Sequence, residues 1–130
     1  MPKTKSTTEL KYKRQFDAAI ALFRAGKVAL AIESLKCVAL EYPNESAVHA
    51  YLGLVLFKVE QFALSVRHFE VATKLSPMSE MASLGLFHAL RASNKHKQAV
   101  TELKRFQAVS HSADYDAIAI ELKIRMPVAA

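Results

Sequence analysis

Glycine, proline and cysteine are all scarce in this sequence of 130 residues, which has 3 glycines, 4 prolines and 1 cysteine. So few turn-forming residues argue against an all-β sandwich or barrel, in which a turn follows every ~8 to 12 residues, and against a glycine-rich phosphate-binding loop. Cys37 cannot form an internal disulfide, so we expect the chain to reside in a reducing compartment. We also expect Cys37 to be a small buried apolar residue and not a nucleophile, because free cysteines are among the most buried residues.

Long hydrophobic runs are missing as well. The longest suggestive charge-free run, 46–57, is far shorter than the ~20 residues that cross a bilayer. The basic N-terminal stretch leads into an apolar segment that Arg24 and Lys27 interrupt, so it lacks the continuous apolar region of a secretory signal. We therefore predict a cytoplasmic protein with no membrane contact.

A third absence concerns catalysis and metal binding. The five histidines are scattered, and the sequence has neither a His-Glu-x-x-His nor a Cys-x-x-Cys motif, which are short signatures of zinc sites. Glu45 and His49 are four residues apart and could share a helix face, but an ion pair or hydrogen bond at a helix start is the simpler interpretation. No nucleophile with a base is apparent. We predict no catalytic residue, no metal site and no cofactor, in a protein that is not an enzyme.

The composition that remains is that of a globular protein with a basic excess. Hydrophobic residues make up 52% and charged residues 23%, unlike the composition of a disordered chain. Lys and Arg number 18 against 12 Asp and Glu, a formal charge of +6. This balance favours acidic partners at first encounter. The positive charge is concentrated near the N-terminus and in 91–105.

The strongest pattern is a repeat. Pro43 and Pro77 lie 34 residues apart, a known period of helical repeats. The same offset aligns three small residues and three large apolar residues. These are Ala31, Ser65 and Ala99, and Leu35, Phe69 and Leu103. Within each copy the apolar residues recur at spacings of three and four, the period of an α-helix. Three copies therefore cover about 12–45, 46–79 and 80–111.

Each copy divides into two helices. Gly26 and Asn94 stand in polar breaks and tolerate the left-handed conformation that closes a helix. Asn44, Ser76 and Ser112 are expected to begin the helices that follow them. Seven helices are predicted, over about 9–25, 28–41, 45–59, 62–75, 79–93, 96–109 and 113–125.

At these residues the chain resembles the tetratricopeptide repeat (TPR) family. The family pattern places Leu-Gly in the first helix of a repeat, a small residue, Phe and Ala in the second, and Pro at its end. The second copy departs at His49, where a Trp is common, and at Leu56, where a Tyr is common. The flanking copies match less well. The matching residues of the second copy are Leu52, Gly53, Phe62, Ser65, Phe69, Ala72 and Pro77.

The resemblance implies an all-α fold, a right-handed superhelical solenoid of helix-turn-helix units. It would form a single TPR-like domain over 11–130 that follows a flexible basic tail at 1–10, with a capping helix at 113–125. In this family the first helices of successive repeats line a concave surface. The residues projected onto that surface are Phe16, Ile20, Phe23, Ala47, Ala50, Leu54, Phe57, Met81, Leu84, His88 and Arg91.

These projected residues form a predominantly apolar groove. An exposed apolar surface normally marks an interaction site, so the expected partner is an apolar segment of a protein or peptide, with an acidic flank facing the basic third repeat. Two alternatives stay open: the residues are core, covered by the N-terminal segment or the last helix, or a second copy covers them in a homodimer. The family's clamp for the acidic C-terminal tails of heat-shock chaperones is absent. Its positions hold Phe16, Ile20, Tyr51, Met81 and Gly85.

The sequence thus predicts a small non-catalytic adaptor or chaperone that binds a protein segment in this groove. A toxin-neutralising inhibitor or a self-associating structural protein would use the same surface. A nucleic-acid binder is disfavoured, because the groove lacks the polar side chains with which helical repeats read bases, although the basic residues could contact phosphates.

Overall fold

A computed structural model describes residues 6–125, and within that range the chain forms seven α-helices and no strand. The predicted fold class is confirmed. Consecutive helices pack as antiparallel neighbours, so α1 with α2, α3 with α4 and α5 with α6 form three pairs, and α7 follows them. The helices are α1 (Thr7–Arg24), α2 (Val28–Glu41), α3 (Ser46–Lys58), α4 (Phe62–Leu75), α5 (Glu80–Ala92), α6 (His96–Val109) and α7 (Ala113–Leu122).

The turn between the two helices of each pair has the same backbone conformation in all three repeats. Gly26, Glu60 and Asn94, spaced at the repeat period, have φ angles of 81°, 62° and 61°. In each turn the next N–H donates to a carbonyl five residues earlier, as from Lys95 to Leu90 at 2.8 Å, which satisfies carbonyls that the helix end would leave unpaired. The left-handed conformation expected at Gly26 and Asn94 is confirmed, and Glu60 adopts it without the freedom of glycine.

The helix starts agree with the sequence only in part. Ser112 caps α7, where its hydroxyl accepts a hydrogen bond from the Tyr115 N–H at 3.1 Å. The expectation for Asn44 and Ser76 was wrong, because the chain continues past both residues before it becomes helical. The cap of α5 is Ser79, and Glu45 precedes α3 without a side-chain hydrogen bond.

Small residues allow the two helices of each pair to approach closely. Ala31, Ser65 and Ala99 are fully buried, as predicted, and the hydroxyl of Ser65 donates to the Gly53 carbonyl at 2.7 Å. The large residues predicted to fill the space between pairs are buried too, with Phe69 only 2% exposed. The repeat spacing therefore describes real packing positions.

The core forms two clusters. One lies between α1, α2 and α3, and the other extends from α3 to α7. Tyr115 and Ala119 are buried on one side of α7, where Tyr115 belongs to the second cluster, while Ile120 on the other side is 79% exposed. Helix α7 ends at Leu122, three residues before its predicted end, because Lys123 takes the left-handed conformation.

Two further predictions concern the boundary at residue 10 and the burial of Cys37 in α2. Helix α1 begins at Thr7, so the predicted boundary at residue 10 lies inside a helix, and residues 1–5 lie outside the described range. Cys37 was expected to be buried but is exposed. The buried side of α2 runs through Ala31, Leu35 and Val38, and Cys37 lies on another side of the helix.

No helix among residues 6–125 has the length and apolar character needed to cross a membrane.

Candidate functional site

The first helices of the three pairs lie side by side. Because each pair reverses direction through a short turn, α1, α3 and α5 all run the same way. Phe16 of α1 meets Tyr51 of α3 with ring centroids 5.4 Å apart, and the ring of Phe69 lies against both Gly53 of α3 and Gly85 of α5. The three helices that carry the residues projected onto the groove are therefore neighbours in the structure.

The projected residues differ in exposure. Four are exposed, with Met81 at 47%. Six large apolar residues are half-buried, and all of them except Ile20 pack against a core cluster while keeping accessible surface. Ala50 is only 5% exposed and belongs to the core. The exposed residues are Ala47, Met81, His88 and Arg91, and the half-buried ones are Phe16, Ile20, Phe23, Leu54, Phe57 and Leu84.

Neither α1 nor α7 buries this surface completely. Ile118 of α7 packs against the same core cluster as Leu54 and Leu84, yet Leu54 and Leu84 keep accessible surface within the described part of the chain. Leu54 and Leu84 thus belong partly to the core and partly to the surface. The sequence could not decide between these two roles.

The positive charge on this surface belongs to Arg91 of α5. The Arg91 guanidinium lies 5.7 Å from the centroid of the Phe87 ring, within the range of a cation–π contact. Partial burial and the nearby Arg91 charge lower the pKa of His88, against the opposing effect of Asp114. His88 is therefore held towards its neutral form, which suits a contact beside apolar residues better than a charged imidazolium.

A second polar feature, which the sequence did not reveal as a pair, joins α3 to α4. The Nδ1 atoms of His49 and His68 are 3.4 Å apart, and the ring planes differ by 20° with centroids separated by 5.6 Å. His49 Nε2 lies 2.9 Å from the Pro43 carbonyl oxygen. Because a carbonyl only accepts, His49 carries its proton on Nε2, and its Nδ1 accepts from His68.

This histidine pair gives the fold a pH dependence. Burial, followed by electrostatic effects of His49, Arg67 and Lys36, lowers the pKa of His68 from its usual 6.5. The unfolded chain therefore takes up a proton at a higher pH than the folded chain. The stability that neutral His68 contributes is complete above 6.5 and is lost as the pH falls below that value.

We expect urea unfolding to show a decreasing free energy of unfolding between about pH 7 and pH 5. In the variant His68→Asn, which does not titrate there, this slope should be smaller. A slope of equal size in both proteins would show that His68 does not cause it.

The third repeat has a different polar pair at the same two positions, 34 residues further along the chain. The Ser83 hydroxyl donates to Glu102 Oε2 at 2.5 Å, and the Tyr115 hydroxyl lies 2.8 Å from Ser83. Arg105 donates to both Glu102 oxygens at 2.7 Å and to the Pro77 carbonyl at 3.0 Å. Burial raises the pKa of Tyr115, so its hydroxyl stays neutral and can donate. This network joins α5, α6 and α7.

The arrangement offers a surface for binding. Among residues 6–125, no three His, Cys, Asp or Glu side chains come together as ligands for a metal ion. The surface formed by the projected residues combines aliphatic and aromatic side chains with His88 and Arg91. What these side chains can do chemically is to bury an apolar partner and pair with a carboxylate.

No protein-family profile matches the sequence, and no curated protein is similar to it in sequence. Solved structures, in contrast, share its fold. A MamA mutant has a TM-score of 0.69 at 20% identity, over 78% of this chain and 74% of that one. A chain of the CopN–Scc3 complex has a TM-score of 0.74 at 19% identity, over 92% and 71%.

A third similar structure is the Yersinia enterocolitica type III secretion chaperone SycD in complex with a peptide of the translocator YopD. Its TM-score is 0.74 at 13% identity, over 91% of this chain and 89% of that chain. These neighbours are TPR-like helical repeat proteins. The chain is therefore a TPR-like helical solenoid, with three helix pairs and a capping helix in its described part.

Proposed function

We propose that this protein is a small non-catalytic interaction module, acting in the cytoplasm as a chaperone or adaptor, and that it binds an apolar segment of a partner protein along α1, α3 and α5. The observation that carries the proposal is the half-exposed apolar surface of the first helices. Six large apolar side chains there keep accessible area, although five of them pack against a core cluster. A patch of this kind on a folded surface normally marks an interaction site.

The depth of the side chains suits an amphipathic or extended peptide. The start of α3 has small side chains, Ala47 and the buried Ala50, whereas its end has the larger side chains Leu54 and Phe57. Met81 at the neighbouring position of α5 adds a flexible contact that can adapt to different partners. Recognition of apolar side chains in a helical groove is a common mode of peptide binding.

A solved neighbour supports the same proposal. SycD, which has the same fold over most of both chains, is a secretion chaperone seen with a translocator peptide. By analogy of fold, we propose a comparable holding role for this chain. Masking a toxin would require the same surface, and an identified partner would separate the two roles.

The test is Leu54→Glu, which places a charge in the middle of the groove. We expect it to abolish partner binding, because an apolar partner would have to bury an unpaired carboxylate. Native affinity capture followed by mass spectrometry, run with purified parent and variant, measures the effect. Circular dichroism and thermal melting check that the variant is folded.

Two further variants keep this test decisive. Met81→Glu alters a residue that is 47% exposed and so spares the core, whereas Leu40→Glu alters a leucine of α2 that is 84% exposed and lies outside the groove. We expect the first to lose the partner and the second to retain it. Retention by folded Leu54→Glu and Met81→Glu proteins would refute the groove as the binding surface.

A further inference from the structure

The topology divides the ends of the solenoid into two edges. Because α1, α3, α5 and α7 run the same way, their C-terminal ends, with the turns at 25–27, 59–61 and 93–95, lie along one edge. The loops between pairs, at 42–45, 76–79 and 110–112, lie along the opposite edge. The groove runs between the two edges.

Charge is distributed unequally over these edges. We call the first edge the basic edge. It carries six exposed cations and two exposed anions, Glu60 and Glu121. Within residues 6–125 none of the six has a carboxylate within salt-bridge distance. The six cations of the basic edge are Arg24, Lys27, Lys58, Arg91, Lys95 and Lys123.

The opposite edge carries carboxylates. Two of its cations are paired with carboxylates, Lys11 with Glu41 at 3.0 Å and Arg105 with Glu102 at 2.7 Å, whereas Lys74 in the last turn of α4 has no carboxylate within salt-bridge distance in the described part of the chain. Further carboxylates stand at the starts of the first helices and of α7. They are Glu45, Glu80, Asp114 and Asp116.

Helix stability accounts for only part of the basic edge. Arg24, Lys58 and Arg91 lie in the last turns of α1, α3 and α5, where a cation stabilises the helix. Lys27 and Lys95 instead occupy the N-cap positions of α2 and α6, make no capping hydrogen bond there, and are followed by first turns without an acidic residue. A cation at a helix N-terminus is unfavourable, so the folded chain alone gains nothing from these two lysines.

We propose that the basic edge binds acidic side chains of the protein segment that occupies the groove, and so fixes how that segment lies. The inference rests on the proposed function. The partner's apolar residues would contact α1, α3 and α5, and its Asp or Glu residues would point to the turn side of the solenoid. Unpaired cations beside an apolar floor match a segment of this composition, whereas a nucleic acid would meet few polar groups for its bases.

The test compares peptides selected from a phage-displayed random library on three immobilised proteins. They are the parent, an edge variant (Arg24→Glu, Lys58→Glu, Lys95→Glu) and a control variant (Lys36→Glu, Lys74→Glu, Lys104→Glu). The control changes the net charge equally at exposed positions of the second helices. Circular dichroism establishes that all three are folded.

We expect the parent and the control variant to select apolar peptides enriched in Asp and Glu relative to the library. The edge variant should lose that enrichment, and the parent-selected peptides should bind it about tenfold more weakly by fluorescence anisotropy, since three modest surface attractions become repulsions. Equal acidic enrichment on the edge variant, or none on the parent, would overturn the inference.

The groove variants separate this inference from the proposed function. Peptides that require Leu54 but carry no acidic excess would leave the groove standing and refute the role of the basic edge. Acidic peptides that depend on the basic edge but still bind Leu54→Glu and Met81→Glu would refute the groove. A mixed-sequence oligonucleotide that binds the parent more tightly than the peptides, and fails on the edge variant, would identify nucleic acid as the anion and overturn the proposal. Selection of no peptide would refute both.

Discussion

Replacement of Phe69 by alanine is expected to lower the free energy of unfolding by about 3 to 5 kcal/mol. Phe69 is 2% exposed and lies in the core cluster that joins α3, α4 and α5. Its ring fills the space that Gly53 and Gly85 leave open on the two neighbouring first helices. Removal of the ring would leave a cavity bounded by two residues without side chains, so little surrounding structure can relax into it. Chemical denaturation of the purified protein measures the loss.

Gly53 and Gly85, which lie against the Phe69 ring, provide a matched control for this prediction. A Cβ atom on Gly85 would lie 2.2 Å from the Phe69 ring, and one on Gly53 would lie 2.8 Å from it. Gly85→Ala should therefore destabilise by about 1 to 3 kcal/mol through overpacking. The double variant Gly85→Ala with Phe69→Leu should be more stable than the sum of the single effects predicts, because the smaller side chain makes room for the methyl group. Strict additivity would contradict this packing.

Replacement of Glu102 by alanine is expected to be the second most damaging change, at about 2 to 3 kcal/mol. Glu102 is 8% exposed and accepts hydrogen bonds from Ser83 and Arg105. Without it a buried hydroxyl and a guanidinium lose their partner. The loss should stay at the lower end of the range for buried ion pairs, because water can reach the Arg105 side chain, which is 35% exposed.

A double-mutant cycle identifies the network as the cause. Ser83→Ala alone should cost about 1 kcal/mol, and its effect should shrink when Glu102 is already alanine, since the hydrogen bond that it removes is then absent. Tyr115→Phe tests the third member in the same way. Independent effects of Ser83 and Glu102 would show that the two side chains do not act together in holding α7 against α5 and α6.

The repeat could be predicted from the sequence because its causes are local. Helical spacing of apolar residues fixes which side of each helix is buried, and a small residue is required wherever two paired helices cross closely. That is why Ala31, Ser65 and Ala99 were placed correctly. Cys37 shows the limit of reasoning from residue type alone: cysteines are usually buried, but its position around α2 takes it away from the packed side.

The polar pairs could not be predicted, because each joins helices whose relative placement is set by packing. His49 meets His68 across 19 residues of sequence, and Ser83 meets Tyr115 across 32. Nothing in the spacing of either residue specifies its partner. The repeat offset that relates His49 to Ser83 and His68 to Glu102 becomes informative only once the contact in one repeat is known.

The sequence by itself determined that this protein is a three-repeat helical solenoid, since helical period and turn residues act over a few neighbours along the chain. The tertiary structure decided how far each groove residue is exposed and which buried polar groups pair. It also brought six cations without a salt bridge together along one edge of the described part of the chain. Those properties depend on how helices distant in sequence lie against one another, which is settled only when the whole core packs.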